Sequence, residues 1–492
     1  MKKTLLIILS LGVVLNYSCQ KEKLYPVSQT QVSNQDYQPF TTPARILSQV
    51  LALYNNLRGG QLYGSRYIVY NEVKADNYIN SSNNGITAFT VWNATIGGTD
   101  SQITGLWSSG YSTINNCNLF IDGMVAKGNS VVDAATAKTY VAEAKFIRAL
   151  VYYDLLQLYA RPYADGSGSK PGLPLRLTGN SSYANYDLAR SSVADVYAQI
   201  IKDLDAAETD LPSTYTTGTP AVLDAVANTT RAHKNTAIAL KTRVYLSEQK
   251  YSNVITEANK IVPAVAPFVA PTGVPNALQS DITKVFTTPY TTTESILSAP
   301  FLTTETPGGQ SQLCYYFYAN AKALGTAEFN INPTGVVADA NWKTTDKRRG
   351  FIYTSGSKIA MSKFPTLSPY TDWVPVIRYA EVLLNLAEAR VRSTNTVDAQ
   401  AIALLNAIRG RSDATTVFTV AGFANSTALA DAIFQERNIE LLGEGFRNAD
   451  LMRLMLPIPG KGLLGAIPNT DPRYIWPMSG DELLYNKLMT PN

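Results

Sequence analysis

Glu436-Arg-Asn-Ile-Glu440-Leu-Leu-Gly443-Glu444-Gly445-Phe-Arg447-Asn-Ala-Asp450-Leu-Met-Arg453-Leu454 is the stretch on which the fold turns. Glu436, Glu440 and Glu444 recur every fourth residue, so a helix would stack them on one face, with Arg437, Arg447 and Arg453 available as counter-charges. Gly443 and Gly445 supply the left-handed conformation that a helix C-terminus needs, so the helix is expected to end there. Three aligned carboxylates could serve catalysis or hold a metal ion. The reading adopted is instead a partly buried ion-pair network of Glu436, Arg437, Glu440, Glu444, Arg447 and Asp450 that fixes one helix against its neighbours.

Outward from this block, apolar residues keep helical spacing over most of the chain. Thr42 to Leu57 repeats Ile46, Val50 and Leu53, and Asp100 to Val125 repeats Leu106, Trp107, Tyr111, Ile114 and Phe120. A partner helix is expected from Asp133 to Tyr159, after which Pro162 and Pro174 enforce an extended connector. Ser192 is placed to N-cap a helix running through Val196, Ile200 and Leu204 to Leu211-Pro212. Asn235 to Gln249 and Tyr251 to Ile261 read as an antiparallel helix pair joined by a short turn. Residues 263–372 carry Pro, Thr, Gly and aromatics without helical period, the signature of functional loops or short strands. Helices resume at Val376 to Val391, Asp398 to Gly410 and Leu429 to Leu442.

Several of these segments, in this order, resemble conserved blocks of the SusD/RagB family. The 436–453 stretch is similar to its E-R-x-x-E-L-x-x-E-G-x-R-x-x-D-L-x-R pattern, Glu143 to Leu155 to E-A-x-x-L-R-A-x-x-Y-x-D-L, and Leu405 to Arg411 to L-N-x-x-R-x-R. Arg378 to Ala389 resembles a further block, and the tail from Ile475 to Asn486 resembles the closing P-I-P-x-x-E-x-x-x-N. The resemblance implies a mainly α fold in which tetratricopeptide-like helix pairs, an α-α superhelix, support an irregular loop-rich ligand face. It divides a domain over 42–492 into an N-terminal helical part (42–262), a loop-rich insertion (263–375) and a C-terminal part (376–492).

The start of the chain suggests where the protein lives. Lys2 and Lys3 precede an apolar run from Leu5 to Leu15, too short for the roughly 20 residues that span a bilayer, followed by Asn16-Tyr17-Ser18-Cys19. This resembles a lipoprotein signal over 1–18, with Cys19 acylated and residues 19–41 forming a tether, although Asn16 stands where leucine is usual. Ordinary cleavage with an incidental cysteine is the alternative. Cys117 and Cys314 lack framework spacing and are expected to be buried free thiols.

Composition narrows the function further. The 492 residues carry 42 basic and 38 acidic side chains, a net charge of +4, with no basic cluster interleaved with aromatics, so nucleic acid is not an expected partner. Twenty-nine tyrosines against 15 phenylalanines suit both half-buried packing and recognition of neutral polyhydroxy ligands. One histidine, His233, and no metal-binding or nucleophile motif leave little scope for cofactor, metal or Ser-His-Asp chemistry. Gly460 to Gly465 spells G-x-G-x-x-G, but the flanking Pro457, Pro459 and Pro468 make it a loop.

Asp76 matches the family's E-x-x-x-D position in Glu72 to Asp76, near which relatives contact sugars, and Asn77 and Tyr78 follow it. Trp92, beside Asn93, is either a stacking platform for a pyranose ring or a core residue. Tyr315, Tyr316 and Trp342 either line a groove or stiffen loops. The resemblance implies a non-catalytic, surface-exposed outer-membrane lipoprotein that captures a glycan and passes it to a SusC-like TonB-dependent transporter. The alternatives are peptide or glycopeptide cargo on the same fold, a surface glycosidase, and a scaffold without a small ligand.

Overall fold

Caps written into the sequence set most helix starts. In the computed structural model, which describes residues 38–182, 186–216, 221–309, 311–319 and 327–492, the helices are α1 (Pro43–Leu57), α2 (Arg66–Lys74), α3 (Phe89–Trp92), α4 (Ser101–Ala126), α5 (Ala134–Tyr159), α6 (Val193–Asp210), α7 (Ala221–Thr230), α8 (Lys234–Ser247), α9 (Tyr251–Ala258), α10 (Leu313–Phe317), α11 (Tyr379–Thr394), α12 (Ala399–Ser412), α13 (Ser426–Glu440), α14 (Arg447–Arg453) and α15 (Gly480–Tyr485). The expected signal segment and Cys19 lie outside the described residues. Thr42 caps α1 and Asp133 caps α5, while Ser192 and Asp195 close a reciprocal capping box on α6.

The long helices pack in sequence order: α4 on α5, α5 on α6, α6 on α8, α8 on α9, α9 on α11, and α11 on both α12 and α13. This is the expected mainly α succession of helix pairs. One apolar cluster runs through it from Ile46 to Met489. Full burial of each aliphatic side chain in such a cluster contributes about 1.5–3 kcal/mol. No helix among the described residues is long and apolar enough to cross a membrane.

The described residues form six short strands, β1 (Tyr78–Asn80) within the N-terminal helical part and β2 (Ser295–Ala299), β3 (Phe329–Ile331), β4 (Ile352–Ser355), β5 (Lys358–Met361) and β6 (Val374–Arg378) after it, paired antiparallel as β1–β3, β2–β6 and β4–β5. The expected helix from Val376 therefore begins only at Tyr379, because Val374 to Arg378 pairs with β2. That ladder is irregular opposite Pro375, which has no N–H to donate. The helix through Glu436 also stops earlier than the glycines suggest, at Glu440. Gly443 and Gly445 then take φ of +80° and +88° in the turn that follows, so Glu444 leaves the helix.

Candidate functional site

Two constructions define the centre of the molecule: a buried charge cluster and, beyond it, a loop-built face. In the cluster Glu436 accepts from Arg348 at 2.7 Å and from Arg409, while Glu440 accepts from Arg348 and Arg378, both at 3.0 Å, and from Arg411. Glu444 accepts from Lys363 at 2.7 Å and Arg378 at 2.6 Å, and Glu294 bonds both Arg378 and Arg411. Asp346 completes the group on Arg348. Five carboxylates thus meet five cations, Arg348, Lys363, Arg378, Arg409 and Arg411, and the charges balance. Burial alone would raise the carboxyl pKa of Glu440, but the surrounding cations hold it well below the ordinary range.

The counter-charges differ from those the local spacing offers. Arg437 pairs with Asp450 at 2.7 Å and Arg453 with Glu388 at 2.7 Å, whereas Arg447 clasps Asp76 through two bonds of 2.7 and 3.0 Å. The partners of Glu436, Glu440 and Glu444 arrive instead from β6, α12 and the loops between β3 and β6. Burial opposes ionisation of Glu388 too, yet Arg453 outweighs it and its pKa stands at about 2.

The loop-built face is organised around the β1–β3 pair. Beyond β1, the Asn80 carboxamide accepts from the Ser82 and Asn83 amides at 3.2 and 2.7 Å, folding the chain into a turn that exposes Ser81, Ser82 and Asn83. Ser81 Oγ donates to the Ala327 carbonyl at 2.9 Å, and the Glu328 carboxylate accepts from Asn84 at 3.1 Å and from Thr87. Glu328 also holds the half-buried Tyr315 hydroxyl, whose pKa is raised by burial and then by that carboxylate. Glu328 therefore ties the Asn80–Asn93 segment to the α10 segment. It was not among the residues singled out from the sequence; the Asn80-Ser-Ser-Asn-Asn-Gly85 turn signal was the available pointer.

Trp92 ends α3 rather than lying in an irregular loop. Its indole Nε1 donates to the Tyr78 carbonyl at 2.9 Å, Phe89 lies parallel to it with centroids 6.1 Å apart, and the Lys461 ammonium stands 5.8 Å from the ring. The residue as a whole is half-buried. Asn93 is half-buried beside it, accepting from Thr95. By contrast Asp76, Asn77, Tyr78, Tyr316 and Trp342 are buried, at 8, 0, 0, 1 and 2% exposure. Asn77 donates to Asn438 at 2.8 Å, Tyr78 stacks on Phe317, and Trp342 lies under the Arg349 guanidinium at 4.1 Å. Trp342 is thus covered by Arg349, whereas Trp92, Asn93 and Tyr315 are half-buried on the segments joined to the β1–β3 pair.

No group of metal-ligating side chains occurs among the described residues. Cys117 and Cys314 are both free and buried.

The fold and this face define a class: a helix-pair scaffold that presents a polar, aromatic surface from its loops. Residues 312–486 match the model of the SusD family, and residues 30–246 match a model described as starch-binding associating with outer membrane. A SusD superfamily protein of Bacteroides fragilis is 30% identical, its crystal structure covering 92% of this chain and 100% of its own with a TM-score of 0.81. A SusD-like protein of Formosa agariphila is 24% identical over 99% of this chain and 98% of its own. A laminarin-binding SusD-like protein, 20% identical, covers 92% of this chain and 99% of its own with a TM-score of 0.71. The chain belongs to the SusD family.

Proposed function

We propose that this protein captures a neutral oligosaccharide at the outer-membrane surface, anchored by a lipid on Cys19, and passes it uncleaved to a SusC-like TonB-dependent transporter. The observation that carries the reading is Trp92, a half-buried residue whose indole is fixed by the 2.9 Å bond to the Tyr78 carbonyl, at the start of the strand that leads into the exposed Ser81, Ser82 and Asn83. A pre-oriented aromatic face with neutral hydrogen-bonding groups on its rim suits the alternating C–H and hydroxyl faces of a sugar ring. In this reading Trp92, Asn93 and Tyr315 meet the ligand, while Asp76, Asn77 and Tyr78 support the strand beneath. The similarity to a laminarin-binding protein and to the starch-binding family model favours a glucan among neutral glycans.

The state of the acids supports capture without cleavage. Glu143, Glu381, Glu388, Glu436, Glu440 and Glu444 each lie within 3.0 Å of an arginine or lysine nitrogen. A glycosidase acid needs a raised pKa and access to the scissile oxygen. Glu72 and Asp154 are raised by burial to about 7 and about 8, yet both are fully enclosed, Glu72 accepting from the Gly445 amide and Asp154 from the Tyr63 hydroxyl.

Affinity electrophoresis through gels containing α- or β-glucans tests this site. The chain starting after Cys19 should be retarded by at least one of them, and Trp92→Ala should weaken retention roughly tenfold or more, the scale of a buried aromatic contact. Retention unchanged by Trp92→Ala would move the site off this face.

A further inference from the structure

Val91 of α3 lines an open cleft of about 530 Å³ whose chemistry is unlike that of the glycan face. Val91, Ile96, Ile475 and Met478 make much of its wall apolar, Lys74, Trp476 and Asn492 bring polar groups to it, and the exposed Arg473, paired with Asp471, stands at its rim. Its volume falls within the range of small-molecule sites.

Lys74 is 5% exposed, and its ammonium donates to the Tyr474 carbonyl at 2.6 Å and the Asn448 carboxamide at 3.2 Å, both uncharged. The acids around it are already engaged. Asp76 is held by Arg447 and Asp471 by Arg473, while Asp165 is bonded by Arg161 and Glu482 by Trp107 and Tyr186. A second buried lysine, Lys461, donates to the carbonyls of Lys74 at 3.1 Å and Ala75 at 2.6 Å, and burial and then Lys74 push its pKa well down, so it supplies no counter-charge for Lys74. Burial and then the charge of Arg161 lower the Lys74 pKa to about 7. Trp476 is 1% exposed, and its indole N–H has no acceptor among the described residues. A buried ammonium without a counter-charge and a buried indole N–H without an acceptor are each costly, and one carboxylate would supply both the charge and the acceptor.

We infer that this cavity binds a small carboxylic acid with an apolar body, its carboxylate on the Lys74 ammonium with the Trp476 indole as second donor, and its hydrocarbon part against Val91, Ile96, Ile475 and Met478. A sugar is the wrong occupant, since its hydroxyls would lie against apolar wall. The inference goes beyond the glycan reading and does not rest on it.

The test titrates the full chain with 4-phenylbutyrate and decanoate against the matching alcohols, 4-phenylbutanol and decanol, by calorimetry and tryptophan fluorescence. The acids should bind at least tenfold more tightly than the alcohols. Lys74→Met should remove that preference, and Thr99→Trp, at the exposed rim, should weaken both acids and alcohols. Equal affinity for acid and alcohol, or an acid preference that survives Lys74→Met, overturns the inference. If Lys74→Met does not fold, tight acid binding unaffected by Thr99→Trp overturns it as well, because the acid would then sit elsewhere.

Discussion

Arg378 sits where three carboxylates meet, Glu294, Glu440 and Glu444, and is 2% exposed. Removing it leaves those acids enclosed with one cation fewer, so Arg378→Met should destabilise the protein by about 3–5 kcal/mol in denaturant unfolding. Arg378→Met combined with Glu440→Gln should cost less than the two single changes added together, since the double variant removes both members of a pair. His233 offers a second test. Burial lowers its pKa from 6.5 to about 4, so between those values the unfolded chain binds a proton that the native one excludes. Stability should therefore fall as pH drops from 6.5 to 4, by up to about 3 kcal/mol from this group, and His233→Gln should flatten that part of the slope. At this scale Glu436, Glu440 and Glu444 were legible from their spacing, but the other two acids of the cluster, Glu294 and Asp346, and all its cations were not. Arg348, Lys363 and Arg378 lie roughly sixty to ninety residues upstream, where no local pattern links them to Glu440.

Helix starts marked by a cap could be read to within a residue, because Thr42, Asp133 and Ser192 are local chemistry, whereas those expected at Val376 and Leu429 fall three residues away, at Tyr379 and Ser426. Strands could not: Val374 to Arg378 takes its structure from β2, some eighty residues upstream, and its apolar run merges with the helix that follows. Glycines separate the two kinds of constraint. Gly443, at φ +80°, would place a Cβ 2.2 Å from Met361 Cε, so Gly443→Ala should cost at least about 1–2 kcal/mol from the backbone alone. Gly410 lies inside α12 with open space at its Cβ position, so Gly410→Ala should raise stability by about 0.5–1 kcal/mol. Thermal melts of the two variants should move in opposite directions.

For the whole molecule, the order of helix pairs and charged blocks was enough to give the fold class, because those blocks build the scaffold. The proposed ligand face was only partly visible, since it is made of loops brought together by three-residue strands and by Glu328, whose role depends on segments some 240 residues apart. Trp92 was read as either platform or core, and it is half-buried, with its indole N–H bonded to the Tyr78 carbonyl. The central claim, non-catalytic glycan capture, is tested most directly by calorimetric titration of the chain starting after Cys19 with α- and β-linked glucan oligosaccharides, followed by chromatography of the same mixtures. Saturable binding of at least one oligosaccharide, recovered at its original length, is the predicted result. Shortened oligosaccharides, or no heat with any glycan while a peptide pool binds, would contradict it.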